Sequence, residues 1–144
     1  MSYQDQDQAG LGEGPRDDRA ATRTVWETLE REGRFRRFLD ASRQAGLEGV
    51  LRGPDLITAF AVPDSVATGP DLGATVARHI VRGYQTSADL RIAGTVRSLE
   101  GDAVPVALRD GYGIFAGIKV TRSDVACTNG MIHELERATL ESAA

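Results

Sequence analysis

The chain carries few residues suited to covalent or metal chemistry. Its 144 residues include one cysteine, Cys127, and two histidines, His79 and His133. A lone cysteine forms no intrachain disulfide and no cysteine-rich metal site, so the fold should not depend on an oxidising compartment. Cys127 reads as a small core residue, with a reactive thiol or a dimer crosslink as lesser alternatives. The net charge of −4 leaves no basic field for DNA or RNA and no polybasic surface for anionic lipid. No stretch approaches the ~20 apolar residues of a membrane span. The first residues lack the basic start and apolar run of a secretory signal peptide. The expectation is therefore a cytoplasmic protein, or an extracellular or envelope one if a leader has been removed. Asn129, the one asparagine, is followed by Gly-Met, so no N-glycosylation sequon exists.

What is present is ordinary globular composition, 41% hydrophobic and 26% charged, in a length suited to one domain. Residues 1–22 read as a disordered tail. Leu11 is nearly its only large aliphatic residue, and Gly10, Gly12, Gly14 and Pro15 break any helix. The domain is expected over residues 23–142. Thr24-Val25-Trp26-Glu27 has the spacing of a capping box, and Val25, Trp26 and Leu29 then share one helical face. Gly33 separates a second helix, over 34–45, with a stripe of Phe35, Phe38, Leu39 and Ser42 and an arginine-rich solvated face. Gly46 follows as a left-handed cap.

Leu56 to Ala61 reads as a strand, followed at Val62-Pro63-Asp64 by a short helical turn. Residues 71–81 read as a helix from the spacing of Leu72, Val76 and Ile80, with His79 beside that stripe. The rest reads as strands. Thr95 to Leu99 precedes a Glu100-Gly101-Asp102 turn, and Val104, Val106 and Leu108 alternate with smaller residues. Pro105 donates nothing to a ladder and predicts an edge strand. Ile114 to Val120 forms another strand, residues 121–127 a connection, and Asn129-Gly130 turns into a last strand through Leu135. The order is α+β, without the regular alternation of a parallel α/β fold.

Two short motifs give the chain a family likeness. Thr58, Phe60, Ala61 and Asp64 match Thr-x-Phe-Ala-Pro-Thr-Asp position by position, with departures at Val62 and Pro63. Asn129-Gly130-Met131-Ile132-His133 matches an Asn-Gly, an aliphatic pair and a His. Between them His79 stands where a Tyr-His pair is expected, with Arg78 in the aromatic position. Together these resemble the fasciclin (FAS1) domain. The resemblance implies a wedge of twisted β-sheets with helices packed on one side. It also implies a non-enzymatic module for adhesion or protein interaction, meeting a protein or polysaccharide surface. The alternative it leaves is an intracellular accessory or carrier protein, taking an apolar ligand or a larger complex through residues such as Tyr112 and Phe115. No cofactor is implied.

Thr58, Phe60, Asp64, His79, Asn129, Gly130 and His133 are read as motif and structural residues, the imidazoles held by carboxylate or backbone. A metal site of His79, His133 and Asp64 is the competing reading if the fold brings them together, although no pair has i,i+4 spacing. No Gly-x-Ser-x-Gly element is present, and Cys127 and His133, taken as neighbours along one strand, would lie apart. Gly111-Tyr112-Gly113-Ile114-Phe115-Ala116 imitates a nucleotide loop but continues as a strand, where pyrophosphate binding needs a helix. Asp124-Val125 resembles the Asp-aliphatic pair linked to integrin binding in adhesive animal members. It marks a candidate partner contact, against the plainer reading of a turn.

Overall fold

The computed structural model describes residues 21–67 and 72–138. The expected tail, residues 1–22, lies outside them except for its last two positions, as does Asp71. Helix α1 (Val25–Glu32) begins as its sequence dictates. The Thr24 hydroxyl accepts from the Glu27 N–H at 3.1 Å, and the Glu27 carboxylate accepts from the Thr24 N–H at 3.0 Å. Its buried face is Val25, Trp26 and Leu29, and Gly33 closes it with φ 74°.

Helix α2 (Arg36–Gln44) starts two residues later than its periodicity predicts and has no cap of its own. Asp64 supplies one from across the chain: its Oδ1 accepts the Arg37 N–H at 2.9 Å, while the Asp64 N–H bonds Arg34 O at 2.7 Å. A short helix α3 (Glu48–Arg52), not expected from sequence, follows. Five residues are too few to display a helical period.

Strand β1 (Ile57–Ala61) is buried throughout. After a 3₁₀ turn at Asp64–Val66, the expected helix over 71–81 proves shorter. Helix α4 (Leu72–Thr75) tightens into a 3₁₀ turn at Val76–His79, and Ile80 already belongs to strand β2 (Ile80–Arg82). The four-residue spacing was real, but Ile80 completes it from a strand. Helix α5 (Ser87–Ala93) is a second element unexpected from sequence. Thr86 and Asp89 close a capping box on it. Strands β3 (Thr95–Arg97), β4 (Ala103–Arg109), β5 (Tyr112–Phe115), β6 (Ile118–Cys127) and β7 (Gly130–Leu135) complete the chain.

The seven strands lie in the order β2-β1-β7-β6-β5-β4-β3, with β1 and β7 parallel and the other pairs antiparallel. The two ends of this sheet meet: Val81 bridges Ser98, and the Leu99 N–H bonds Ile80 O at 2.8 Å. The sheet therefore curls on itself and protects its own edges. Helices α1 to α3 pack together, with α1 against β7 and α2 also against α4, while α5 packs on β3, β4 and β5.

Four sequence expectations need correction. The one strand expected over Ile114 to Val120 is two, β5 and β6, paired antiparallel across a tight turn at Ala116-Gly117, both at positive φ. β4 is not an edge strand, since β3 lies outside it. Pro105 is tolerated because its missing donor falls beyond the end of β5, where Ala116 has left the ladder with φ 54° and still donates to Pro105 O. Residues 121–127 are not a connection. They extend β6, which absorbs register shifts between Val120 and Val125 and places Asp124 at φ 63°. Phe115 is fully buried rather than displayed, because it occupies the core-facing position opposite Val106 and stacks on Phe60 with ring centres 3.8 Å apart.

Candidate functional site

The two motifs lie side by side: β1 and β7 pair in parallel register, Thr58 opposite Met131 and Phe60 opposite His133. Gly130 is dictated by this pairing. A Cβ on it would lie 1.9 Å from the Ile57 carbonyl oxygen, so any side chain would force the strands apart. Asn129 ties three elements to the start of β7. Its Oδ1 accepts the Val25 N–H of α1 at 2.8 Å, its Nδ2 donates to Leu51 O of α3 at 3.0 Å, and its carbonyl accepts the Ile57 N–H of β1 at 3.0 Å. On β1, the Thr58 hydroxyl donates to Gly83 O at 2.7 Å and accepts the Gln85 N–H at 2.8 Å, fixing the loop before α5.

The rings form a column through the core. His133 stacks on Phe60 at 5.3 Å, Phe60 on Phe115, and Phe115 faces His79 at 6.3 Å, with Phe38 edge-on to His79 at 6.2 Å. The two histidines thus sit on opposite sides of a phenylalanine pair. His79 is fully buried and its Nδ1–H donates to Thr75 O at 2.9 Å. Burial pulls its pKa down to about 4, against the opposing pull of the Thr75 carbonyl and with help from the Arg78 charge.

His133 uses both ring nitrogens. Nε2–H donates to Gln85 O at 2.8 Å, and Nδ1 accepts the Asp124 N–H at 3.3 Å, which fixes the neutral Nε2–H tautomer. Burial lowers its pKa, opposed by the Gln85 carbonyl and the Asp124 carboxylate. Asp124 itself turns to α5, accepting the Ser87 N–H at 2.8 Å and the Ser87 hydroxyl at 2.5 Å. Its half-buried neighbour Val125 pairs with Ile132. Both Asp124 carboxylate oxygens are thus engaged by Ser87.

Glu134, on the other face of β7, was not singled out by sequence. It is 11% exposed at its side chain and binds Arg34 through both oxygens, at 2.9 and 3.2 Å, while Arg122 approaches at 3.3 Å. Glu32 joins both arginines, so two carboxylates and two guanidinium groups alternate across the α1–β7 junction.

No group of three metal-binding side chains occurs among the described residues, and Asp64, His79 and His133 are each committed to separate elements. Cys127 is buried in β6 opposite Gly130, its Sγ 3.5 Å from the Thr28 hydroxyl. Cys127 and His133 are therefore on neighbouring strands rather than on one. Burial raises the thiol pKa, eased by Thr28 and reinforced by the Glu32 charge. Such a thiol is a poor nucleophile.

Residues 33–140 match the fasciclin domain family. An uncharacterized protein of Synechocystis sp. is 29% identical over 129 residues, spanning 81% of this chain and 96% of the relative. Among solved structures, the FAS1 domain pair of the insect cell adhesion molecule fasciclin I superposes with a TM-score of 0.70. It is 20% identical and matches 84% of this chain, which spans 52% of the insect chain, about one domain of the pair.

Proposed function

Because the chain belongs to the fasciclin domain family, we propose that it is a non-enzymatic module that binds a protein or polysaccharide surface. The observation that supports this is how its reactive side chains are used. Thr58, Asp64, Asn129 and His133 each hold one element of the fold against another, and His79 bonds Thr75 within its own helical segment. What remains for recognition is the surface. Ile92 on α5 is 81% exposed, and Leu108 and Tyr112 project from the β4–β5 hairpin, with the Lys119 ammonium 4.0 Å from the Tyr112 ring centre. The insect relative is a cell adhesion molecule, and adhesion is the form of binding this kinship suggests. The carrier alternative gains no support from the apolar-lined cavity beneath α5, whose volume of about 20 Å³ suits one water-sized molecule. No helix among the described residues is long and apolar enough to cross a membrane.

The test is site-specific photo-crosslinking in the native source cells, with the reactive group placed in turn at Ile92, Leu108 and Tyr112. A discrete adduct from one of these positions, absent when the group is moved to Glu27, supports the reading. No adduct from any of them, or a turnover that disappears with His79→Leu or His133→Gln, overturns it.

A further inference from the structure

The bracket around His133 joins three separate stretches of chain through one titratable ring. Gln85 O receives Nε2–H, the Asp124 N–H is received by Nδ1, and the Asp124 carboxylate holds the backbone and hydroxyl of Ser87, the first residue of α5. Asp124 does this from the left-handed region, φ 63°, at a break in β6 register, a conformation uncommon for a non-glycine residue. Beneath the bracket lies the water-sized crevice, lined by Phe60, Leu90, Phe115 and His133.

We propose that His133, Asp124 and Ser87 form a proton-operated latch that holds the start of α5 over this crevice at neutral pH and releases it in acid. Nδ1 is the one unprotonated position on the ring. Nε2 already bears its hydrogen, so an added proton goes to Nδ1 and there meets the Asp124 N–H, donor against donor. The Asp124 carboxylate, whose charge already acts on the ring, is the acceptor that attracts the new N–H. Taking it draws Asp124 toward the ring and away from Ser87, whose N–H and hydroxyl its two oxygens now hold. The charge that stabilises the protonated ring is therefore the charge that α5 loses.

The other elements around the ring offer no substitute. β1 and β5 present Phe60 and Phe115, the next carboxylate on β7 is Glu134 bound to Arg34 and Arg122, and the one on α5 is Asp89 bound to the Thr86 N–H. Arg122, two residues from Asp124, is held by Glu32 and Glu134. The lowered pKa of His133 places the release on the acid side of the ordinary 6.5. Release exposes the apolar lining and frees the half-buried Asp124 from Ser87.

Hydrogen exchange on the full chain tests this, with rates corrected for intrinsic chemistry, at about pH 7.5 and about pH 5. In the wild type the amides of α5 should exchange faster in acid, by about 10-fold for each pKa step that folding takes from His133, and should stay faster than those of β1 and β7, which open only with the whole fold. His133→Gln should show the same α5 rate at both values, and Asp124→Asn a raised rate at both. Equal acid responses of α5 in wild type and His133→Gln overturn the proposal, as does an α5 rate in acid that only matches the rate of β1 and β7. Should His133→Gln not fold, NMR titration of the wild-type imidazoles decides: the α5 response must share its midpoint with His133. A midpoint that follows His79, or neither ring, overturns it.

Discussion

Acid should destabilise this protein well above the pH at which its carboxylates titrate, and His79 sets the scale. Its pKa is about 4 in the fold against 6.5 outside it, so below 6.5 the unfolded chain takes up a proton that the folded chain refuses. Stability is thus fully present above the unfolded value and is lost as pH falls toward 4. The gap corresponds to about 3 kcal/mol in all, of which about 2 kcal/mol is gone by about pH 5. For a single domain of ordinary stability that is a large share of the total. His133 is shifted the same way and adds to the loss. Urea unfolding reads the effect directly, because Trp26 is the one tryptophan, is fully buried, and has the guanidinium carbons of Arg43 and Arg52 each 5.1 Å from its ring centre. The control is His79→Leu, which starts less stable because Thr75 O loses this donor, but should lose about 2 kcal/mol less between pH 7 and about pH 5. An undiminished pH slope in His79→Leu, or an NMR midpoint for His79 near 6.5, refutes the reasoning.

Gly130→Ala brings a Cβ to 1.9 Å from Ile57 O and should cost at least about 3 kcal/mol by urea titration, or prevent folding. Asn129→Ala leaves the Val25 N–H without its acceptor and Leu51 O without this donor, and should cost about 3 kcal/mol in the same assay. Asp64→Ala removes the cap that α2 borrows and should cost about 1 kcal/mol, with Asp64→Asn restoring most of it in thermal melts. Cys127, buried and with its pKa raised, should react with a thiol reagent only as fast as the native state opens. A labelling rate insensitive to added urea counts against that burial.

The parts of the fold legible in the sequence are those fixed by neighbours in the chain. The α1 capping box needs only Thr24 and Glu27, and the β1 and β7 motifs are contiguous. The same local signal was available for α5 in Thr86-Ser87-Ala88-Asp89, where Thr86 and Asp89 carry the cap, although the helix was not expected. The rest depended on partners far along the chain. Asp64 stands beside a 3₁₀ turn but caps α2, 27 residues away. Phe115 ends an ordinary-looking strand, and only Phe60 opposite it decides that it is core. Pro105 predicts an edge unless the length of β5 is known. The placement of the candidate site was legible as motifs. Its bonding was not, because Gln85 acts through a backbone carbonyl that no side-chain pattern announces.

β7 explains why a motif here marks a fold more than a chemistry. Every residue from Gly130 to Leu135 is buried, so both faces of the strand meet protein. The first position must be glycine for β1 to approach. Of the alternating positions that follow, one face carries His133 into the ring column and the other carries Glu134 to Arg34 and Arg122. A strand so fully occupied cannot also present a recognition surface while the fold is closed. On the proposed reading, binding lies on elements the motifs leave alone, α5 and the β4–β5 hairpin, where Ile92, Leu108 and Tyr112 reach solvent. A hydrophobic-to-serine change at those three sites should leave urea midpoints nearly unmoved, since exposed side chains contribute little to stability. If it lowers them as a core change would, those residues serve packing and the recognition surface lies elsewhere.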